Sequence, residues 1–277
     1  MNECLSANVR RQLICAAMAI RCVYTDLDGT LLGRGASLFR DAGGNFTLLP
    51  ARALEVCHRA GVEVVIKSGR RKAQVMEDAR LLGQSAYIYE VGCGLHVDGE
   101  ETYLGELKPQ DGKTVWQQIE ESGAPQLLLE RYEGRLEPHA PWHLERQFSH
   151  LLRGLVDVDE ANALLPGNLR LVDNGDISPK ETLLGLEGPP HAYHLIPRGA
   201  SKAAAVAAHM RARGYAREDC MAVGDSVEDM GVAEHVGRFF LVANAKVDPA
   251  GDNVTVTDAA HGEGFYEAVV RTLAESR

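Results

Sequence analysis

The sequence has few aromatic residues and no long apolar segment. Phe, Trp and Tyr make up only 6% of the 277 residues, so Ala, Val and Leu must supply most of the core that an apolar content of 45% makes possible. No apolar run reaches the roughly 18 to 20 residues that a membrane-spanning helix needs. The sequence therefore predicts no transmembrane helix and leaves room for one large domain or two ordinary ones.

An excess of basic residues is also missing. Lys and Arg together number 29 against 39 Asp and Glu, which gives a net charge of −10. This balance disfavours a nucleic-acid or anionic-membrane partner, because such partners need many cations to neutralise their phosphates. A small anionic substrate remains compatible with the sequence if a few cations are concentrated locally. The oligomeric state is not indicated.

The six cysteines, at positions 4, 15, 22, 57, 93 and 220, form no C-x-x-C pair, so the sequence supports neither a zinc site nor a disulfide framework. Reduced thiols in a cytoplasm are the simpler interpretation. Residues 10 to 19 resemble a signal peptide slightly, but this apolar run continues into the first predicted strand, and cleavage would remove part of the core. We interpret residues 1–19 as an N-terminal extension, with Met1 and Met18 both open as the natural start.

Two aspartates follow the first apolar, β-rich run of the chain. Asp26 and Asp28 are spaced i and i+2, which places both carboxylates on one side of an extended segment, and Gly29 permits a sharp turn directly after them. A bound cation or a shared proton would relieve the repulsion between the two acids. An ordinary strand that ends in an Asp-Gly turn is the alternative interpretation.

The order of apolar runs and helix signals predicts an α/β core. After the first strand the pattern gives a helix from Pro50 to Gly61, a strand at 62–66, a helix at 72–82 and a strand at 86–89. The same alternation returns with strands at 194–196, 220–223, 239–242 and 254–256 and helices at 201–213 and 265–273. This rhythm is typical of a doubly wound, Rossmann-like parallel sheet.

The alternation is interrupted in the middle of the chain. Residues 95–107 have the pattern of a hairpin with Asp98-Gly99 as its turn, and residues 108–192 contain a helix-like piece at 111–122 and strand-like pieces at 126–130 and 168–173. We interpret residues 108–192 as an inserted α+β cap domain. Residues 20–107 and 193–277 would then form the catalytic core domain.

Four polar clusters each follow a predicted strand or open a helix beside one. They are Asp26 with Asp28, Ser68-Gly69-Arg70, Lys202, and Asp225 with Asp229. Taken singly, each has an ordinary structural explanation as a turn, a helix start or a solvated lysine. Ligands in open parallel α/β sheets bind at the carboxyl ends of the strands, so clusters that are distant in sequence can converge there. The four clusters together indicate a functional site.

These clusters resemble the motifs of the haloacid dehalogenase superfamily. The resemblance rests on Asp26-Leu27-Asp28-Gly29-Thr30, Ser68-Gly69-Arg70, Lys202 and Gly224-Asp225-Ser226-x-x-Asp229. The insertion of roughly 85 residues between the second and third motifs is similar to that of the sugar-phosphatase branch, which has a large α/β cap and includes Cof-like, sucrose-phosphate and mannosyl-phosphoglycerate phosphatases.

The resemblance implies a Mg²⁺-dependent phosphatase that hydrolyses a small phosphorylated metabolite, of sugar-phosphate or phosphoglycerate type, through an aspartyl-phosphate intermediate. Asp26 would be the nucleophile and Asp28 the proton donor, with Ser68 and Lys202 holding the phosphoryl group. The residues implied to bind substrate or phosphate are Gly29, Thr30, Gly69 and Arg70. The residues implied to bind Mg²⁺ are Asp26, Asp28 through its backbone carbonyl, and Asp225, with Asp229 near the metal.

The resemblance leaves two alternatives open. A mutase similar to the phosphomannomutases would share the motifs and a similar cap, and a non-catalytic ligand-binding module is the alternative outside enzymes. The sequence also departs from common family patterns, with Ser68 in place of Thr, Glu228 in place of Asn, and Val91 in place of the Asn that often precedes Gly92. Donors to the substrate could come from a set of cap residues, although a solvated surface role is the favoured interpretation for each of them, namely Arg131, Arg135, His139, His143 and Arg146.

Overall fold

The computed structural model describes residues 20–177 and 184–275. The predicted extension at 1–19 lies outside the described residues. The described residues form two compact units, of which the first comprises residues 20–66, 210–225 and 229–275 and the second comprises residues 67–177, 184–209 and 226–228. These bounds differ from the predicted domain bounds, and the division into core and cap domains stays a prediction.

The first unit contains a parallel sheet. Its strands are β1 (Cys22–Thr25), β2 (Glu63–Lys67, whose last residue belongs to the second unit), β10 (Cys220–Gly224), β11 (Arg238–Leu241) and β12 (Val254–Val256). They lie side by side in the order β12, β11, β10, β1, β2, and Cys22 pairs with Cys220 on one side and Glu63 on the other. All four residues of β1 are buried, as expected for the centre of a parallel sheet covered on both faces. The predicted α/β, Rossmann-like fold class is confirmed.

Two long helices complete the first unit. Helix α1 (Leu49–Arg59) has Pro50 in its first turn, where a proline removes no helical hydrogen bond, and the chain turns at Gly61 with a φ of +68°. Helix α8 (His261–Glu275) packs against α1. Gly262 makes this approach possible, because a Cβ there would lie 2.3 Å from the Cγ of Pro50.

The second unit begins with helix α2 (Lys72–Leu81) and strands β3 (Ala86–Tyr89), β4 (Gly94–Val97) and β5 (Glu100–Tyr103). These strands pair antiparallel in sequence order, and a short 3₁₀ turn at Glu90–Gly92 separates β3 from β4. The predicted hairpin with its Asp98-Gly99 turn is confirmed, and both turn residues have a positive φ.

A four-stranded antiparallel sheet forms the rest of the second unit. Its strands are β6 (Leu136–Pro138), β7 (His150–Gly154), β8 (Leu169–Asp176) and β9 (His191–Pro197), in the order β6, β7, β9, β8. Its helices are α3 (Val115–Glu121), α4 (Ala124–Arg131) and α5 (Val158–Leu164). Helix α6 (Lys202–Arg213) starts in this unit, and the short helix α7 (Val227–Met230) follows β10.

Two element predictions are wrong. Residues 126–130, predicted as a strand, belong to helix α4, in which Pro125 occupies the first turn and Leu128 is buried. A short apolar run does not distinguish a strand from a buried helix segment. The strand at 194–196, predicted to resume the parallel core, is instead the central part of β9, which pairs antiparallel with β7 and β8. The residues of this run predict a buried strand, but they do not determine which strands it pairs with.

The helix predicted at 111–122 begins later, at Val115. Thr114 caps it by accepting a hydrogen bond from the backbone nitrogen of Gln117, and the Gln117 side chain accepts one from the backbone of Thr114. This capping box is a signal that the sequence carries. Among residues 20–177 and 184–275, no helix combines the length and the apolar character needed to cross a bilayer.

Candidate active site

Asp26 lies directly after β1 in the first unit and is 7% exposed. Its backbone nitrogen donates to the carbonyl of Val223 on β10 at 3.3 Å, which continues the pairing of the two strands. Its Oδ1 accepts a hydrogen bond from the backbone nitrogen of Leu27 at 2.8 Å, which fixes the direction of the carboxylate. The end of β1 is thereby held beside the end of β10, which leads to Asp225.

Three aspartates of the first unit form an acid cluster, which we define as Asp26, Asp225 and Asp229. One carboxylate oxygen from each lies within 4.8 Å of the other two. Asp229 is fully buried and Asp225 is half-buried. Three carboxylates this close repel each other strongly away from water, and hard oxygen ligands of this kind suit Mg²⁺. The donor set therefore fits the divalent cation that the resemblance implies.

The turn after β1 is fitted closely to this cluster. The Thr30 hydroxyl donates to Asp225 Oδ1 at 2.7 Å. Gly29 has a φ of +83°, and a Cβ on it would lie 2.2 Å from Asp225 Oδ2. Thr30, predicted to bind substrate or phosphate, is therefore seen to orient a metal-ligand candidate. This contact explains why the turn carries glycine and a hydroxyl residue.

Asn244 supports the same turn and was not identified from the sequence. Its Nδ2 donates to the carbonyl of Gly29 at 2.9 Å, and its Oδ1 accepts from the backbone nitrogen of His261 at 2.7 Å. Asn244 follows β11, just as the predicted clusters follow β1 and β10. The rule of polar residues at strand ends, applied to every strand, would have found it.

Asp28 differs from Asp26 in its surroundings. It is exposed, and its backbone makes an isolated bridge with Leu32. Among the described residues, the acid cluster does not include the carboxylate of Asp28. The two aspartates, indistinguishable by type, thus occupy a buried and a solvent-facing position.

The second motif, Ser68-Gly69-Arg70, lies in the second unit. Ser68 is 1% exposed, and its Oγ accepts a hydrogen bond from the backbone nitrogen of Arg70 at 3.2 Å. The side chain of Arg70 forms an ion pair with Asp78 of α2, with an N to O distance of 2.9 Å. The motif is therefore a fixed turn that leads into α2, as predicted for a strand-to-helix connection.

Lys202 is the first residue of α6 and is 1% exposed. The start of this helix lies against Gly92, where a Cβ would be 2.1 Å from the carbonyl oxygen of Ser201 and 2.6 Å from the nitrogen of Lys202. The neighbouring Val91 nitrogen donates to the carbonyl of Ser68 at 3.1 Å. One turn, Glu90–Gly92, therefore contacts both the second motif and the start of the helix that carries Lys202.

Glu228, which departs from the family pattern, has a cationic neighbour in the same unit. Its carboxylate lies 3.9 Å from the guanidinium of Arg170 on β8. Arg170 also donates to the carbonyl of Ala200, two residues before Lys202, at 2.7 Å. Arg170 is thus joined both to this acidic residue and to the connection that opens α6.

Three comparisons with known proteins support the resemblance to the haloacid dehalogenase superfamily. A family model described as haloacid dehalogenase-like hydrolase matches residues 180–268. A phosphoglycolate phosphatase of Halobacterium salinarum is 40% identical over 258 residues, which cover 89% of this chain and 94% of that protein. The chain belongs to the haloacid dehalogenase superfamily.

Solved structures show the same fold. A crystal structure of Thermoplasma acidophilum 0175 superposes with a TM-score of 0.66 at 18% identity, covering 94% of this chain and 100% of that one. The sucrose-phosphatase of Synechocystis, in complex with sucrose and phosphate, gives a TM-score of 0.63 at 14% identity and covers 92% and 98% of the two chains. The resemblance to the sugar-phosphatase branch is confirmed, and this member of the superfamily is a phosphoric monoester hydrolase.

His194 of this haloacid dehalogenase relative is a buried titratable group beside the second motif. It is 2% exposed, and its Nε2 lies 3.1 Å from the position that a Cβ on Gly69 would take. Burial lowers the pKa of His194 well below its ordinary value, and the nearby cations Arg146 and Lys202, followed by His139, lower it further. The imidazole is therefore neutral in the folded protein.

We expect this histidine to destabilise the protein in acid. Below about pH 6.5 the unfolded chain binds a proton at His194 and the folded chain does not, so the free energy of unfolding falls by about 1.4 kcal/mol per pH unit. His194→Asn should flatten the fall in unfolding free energy between pH 6.5 and 5, measured by urea titration. His150, whose pKa burial also lowers, retains its own contribution. His58→Asn, a change at an exposed histidine, is the control. The expectation would be contradicted if unfolding free energy fell equally steeply with pH in wild type, His194→Asn and His58→Asn.

Proposed function

We propose that this hydrolase is a Mg²⁺-dependent phosphatase whose substrate is a small phosphorylated acid, with 2-phosphoglycolate as the first candidate. The observation that carries the proposal is the acid cluster, in which Asp26 at the end of β1 lies within 4.8 Å of two further carboxylates. The substrate follows from the Halobacterium salinarum relative, a phosphoglycolate phosphatase at 40% identity. Sugar phosphates are the alternative class, in line with the fold shared with sucrose-phosphatase.

In the proposed reaction Asp26 attacks the phosphorus atom. A bond forms between its carboxylate oxygen and phosphorus while the bond from phosphorus to the ester oxygen breaks, and Asp28 gives a proton to the departing alkoxide. Asp28 then takes a proton from a water molecule that attacks the aspartyl phosphate, which releases phosphate and restores Asp26. The buried, hydrogen-bonded Asp26 suits the fixed nucleophile, and the exposed Asp28 suits exchange of a proton with solvent.

Mg²⁺ would be held by Asp26, the backbone carbonyl of Asp28 and Asp225, with Asp229 close by, and it supplies positive charge against the carboxylates and the phosphoryl oxygens. Ser68 and the backbone amide of Gly69 are proposed to donate to phosphoryl oxygens, while the Arg70 amide, which donates to Ser68 Oγ, orients that hydroxyl. Lys202 is proposed to offset the negative charge of the phosphoryl oxygens. Without these cations the acid cluster would repel a phosphate dianion.

The proposal is tested by measuring phosphate release from a panel that contains 2-phosphoglycolate, 3-phosphoglycerate, hexose phosphates and p-nitrophenyl phosphate. We expect Mg²⁺-dependent hydrolysis, loss of activity in EDTA, and the highest kcat/KM for 2-phosphoglycolate. The Asp26→Asn protein, purified in parallel, reports any contaminating phosphatase.

Three results would count against this proposal. Equal phosphate release by wild type and Asp26→Asn would remove the phosphatase assignment. Interconversion of hexose 1- and 6-phosphates that depends on a bisphosphate activator would identify a mutase instead. A preference for hexose phosphates over 2-phosphoglycolate would be consistent with the phosphatase reaction but would contradict the proposed substrate.

A further inference from the structure

Arg146 is a buried cation far from the predicted motifs in sequence. It lies in the second unit, in the connection between β6 and β7, and its side chain is only 1% exposed. Burial of an arginine requires compensation by acceptors and a counter-charge, because the guanidinium remains protonated in proteins. The partners of Arg146 therefore indicate what this residue is fixed against.

The guanidinium binds the second motif directly. Its Nη2 donates to the carbonyl of Gly69 at 2.6 Å, and its Nε donates to the hydroxyl of Ser149 at 2.9 Å. The counter-charge is Glu90, whose Oε2 lies 3.6 Å from Nε, and Nη1 is 3.4 Å from the carbonyl of Trp142. Arg146 thus joins the connection between β6 and β7 to the middle residue of the Ser-Gly-Arg motif.

Glu90 holds the segment that carries Arg146. Its fully buried carboxylate accepts hydrogen bonds from the backbone nitrogens of Gln147 and Phe148, at 2.9 and 3.1 Å, and from the Ser149 hydroxyl at 2.7 Å. Charge-assisted bonds of this kind are about twice as strong as neutral ones. Both the guanidinium of Arg146 and the carboxylate of Glu90 therefore have hydrogen-bond partners, as buried charges require.

All three carbonyls of the second motif are engaged by this network. Val91 donates to Ser68 and Glu90 donates to Arg70 through their backbone nitrogens, at 3.1 and 3.0 Å, while Arg146 binds Gly69. The Gly69 carbonyl shares a peptide plane with the Arg70 nitrogen, which donates to Ser68 Oγ. Because that bond uses an acceptor position of the hydroxyl, the Ser68 proton is directed elsewhere. The orientation of the proposed phosphate donors thus depends on Arg146.

We propose that Arg146, paired with Glu90, is a positioning residue that sets the peptide plane of Gly69 and Arg70 and, through it, the Ser68 hydroxyl. This role rests on the proposed phosphatase function, in which the second motif holds the phosphoryl group. Because its side chain is buried, the role proposed for Arg146 is positioning and not contact with substrate or reacting atoms. A misdirected donor weakens transition-state stabilisation more than substrate binding, so the loss of Arg146 should mainly lower kcat.

The test compares Arg146→Met with Arg153→Met. Arg153 lies on β7 of the same unit, is 9% exposed and pairs with Glu137 at 2.6 Å. Both changes remove the cation of a shielded ion pair, but among the contacts described only that of Arg146 reaches the second motif. We expect both variants to have a lower Tm than wild type. Arg146→Met should lower kcat by about 10- to 100-fold with a smaller change in KM. Arg153→Met should leave kcat within about twofold of wild type.

A second variant separates stability from positioning. Arg146→Lys keeps a charge beside Glu90 but lacks the planar fork that binds Gly69 and Ser149 together. We expect it to recover most of the Tm lost in Arg146→Met while kcat stays lowered, and to raise the inhibition constant of inorganic phosphate. If neither variant folds, Ser149→Ala leaves both charges in place and loosens Arg146 Nε, and a several-fold fall in kcat is expected.

The positioning role would be overturned if the folded variants at position 146 had a kcat close to that of wild type. If those variants do not fold, the same result in Ser149→Ala would overturn it. A fall in kcat equal to that of Arg153→Met would overturn it as well. Hydrolysis of p-nitrophenyl phosphate by wild type is measured first. Its absence would refute the phosphatase function itself, which keeps the two failures distinct.

Discussion

Replacing Asp26 with Asn is expected to lower kcat by on the order of 10³ or more, because an amide cannot form the acyl phosphate that divides hydrolysis into two easier steps. The variant should stay folded, since Asn keeps an Oδ1 that can accept from Leu27. In metal-free buffer its Tm should rise above that of wild type, because one of three mutually repelling carboxylates has been removed. Phosphate release and thermal unfolding in EDTA measure the two effects.

Asp28→Asn makes the same chemical change two residues away and separates the two roles. Its kcat should fall strongly for 2-phosphoglycolate, whose alkoxide needs a proton, and less for p-nitrophenyl phosphate, whose leaving group needs none. Its Tm in EDTA should stay close to wild type, since Asp28 is exposed. Activity retained by Asp26→Asn on either substrate, or identical substrate profiles in both variants, would contradict the assignment of nucleophile and proton donor.

The parts of the fold that were predictable are those whose signals are local. The runs at 22–24, 64–66 and 220–223 are apolar and followed directly by polar or glycine residues, so both the strands and their ends can be recognised. Asp26 and Asp225 could be placed together because parallel strands have their carboxyl ends at one edge. The acid cluster is the physical result of that rule.

The features that were missed depend on tertiary partners that the local sequence does not identify. Arg146 stands in a polar segment without periodicity, and its burial is set by Glu90, 56 positions earlier (146 − 90). The prediction that a solvated surface role explains such a cap arginine is wrong for Arg146. The strand predicted at 194–196 could be recognised from Leu195 and Ile196, yet the pairing of β9 with β7 and β8 is a tertiary choice that its own residues do not encode.

Replacing Gly29 with Ala is expected to weaken Mg²⁺ binding by about 10- to 100-fold, the range found when groups that orient metal ligands are lost. The added Cβ would lie 2.2 Å from Asp225 Oδ2 and 2.8 Å from Asp225 Cγ, so the carboxylate must move. That movement is opposed by the Thr30 hydroxyl, which holds Asp225 Oδ1 at 2.7 Å, and by Asn244, which holds the Gly29 carbonyl. The Mg²⁺ concentration that gives half-maximal activity measures the effect.

Gly61→Ala is the matched control for this change. Gly61 has a φ of +68°, similar to the +83° of Gly29, but a Cβ there would meet nothing within 4 Å. Both variants should therefore lose about 1 kcal/mol of unfolding free energy to backbone strain, while only Gly29→Ala changes its Mg²⁺ requirement. If the two variants show the same Mg²⁺ dependence, the close contact at Gly29 does not control the metal site. In that case glycine serves there only to permit the turn that follows Asp28.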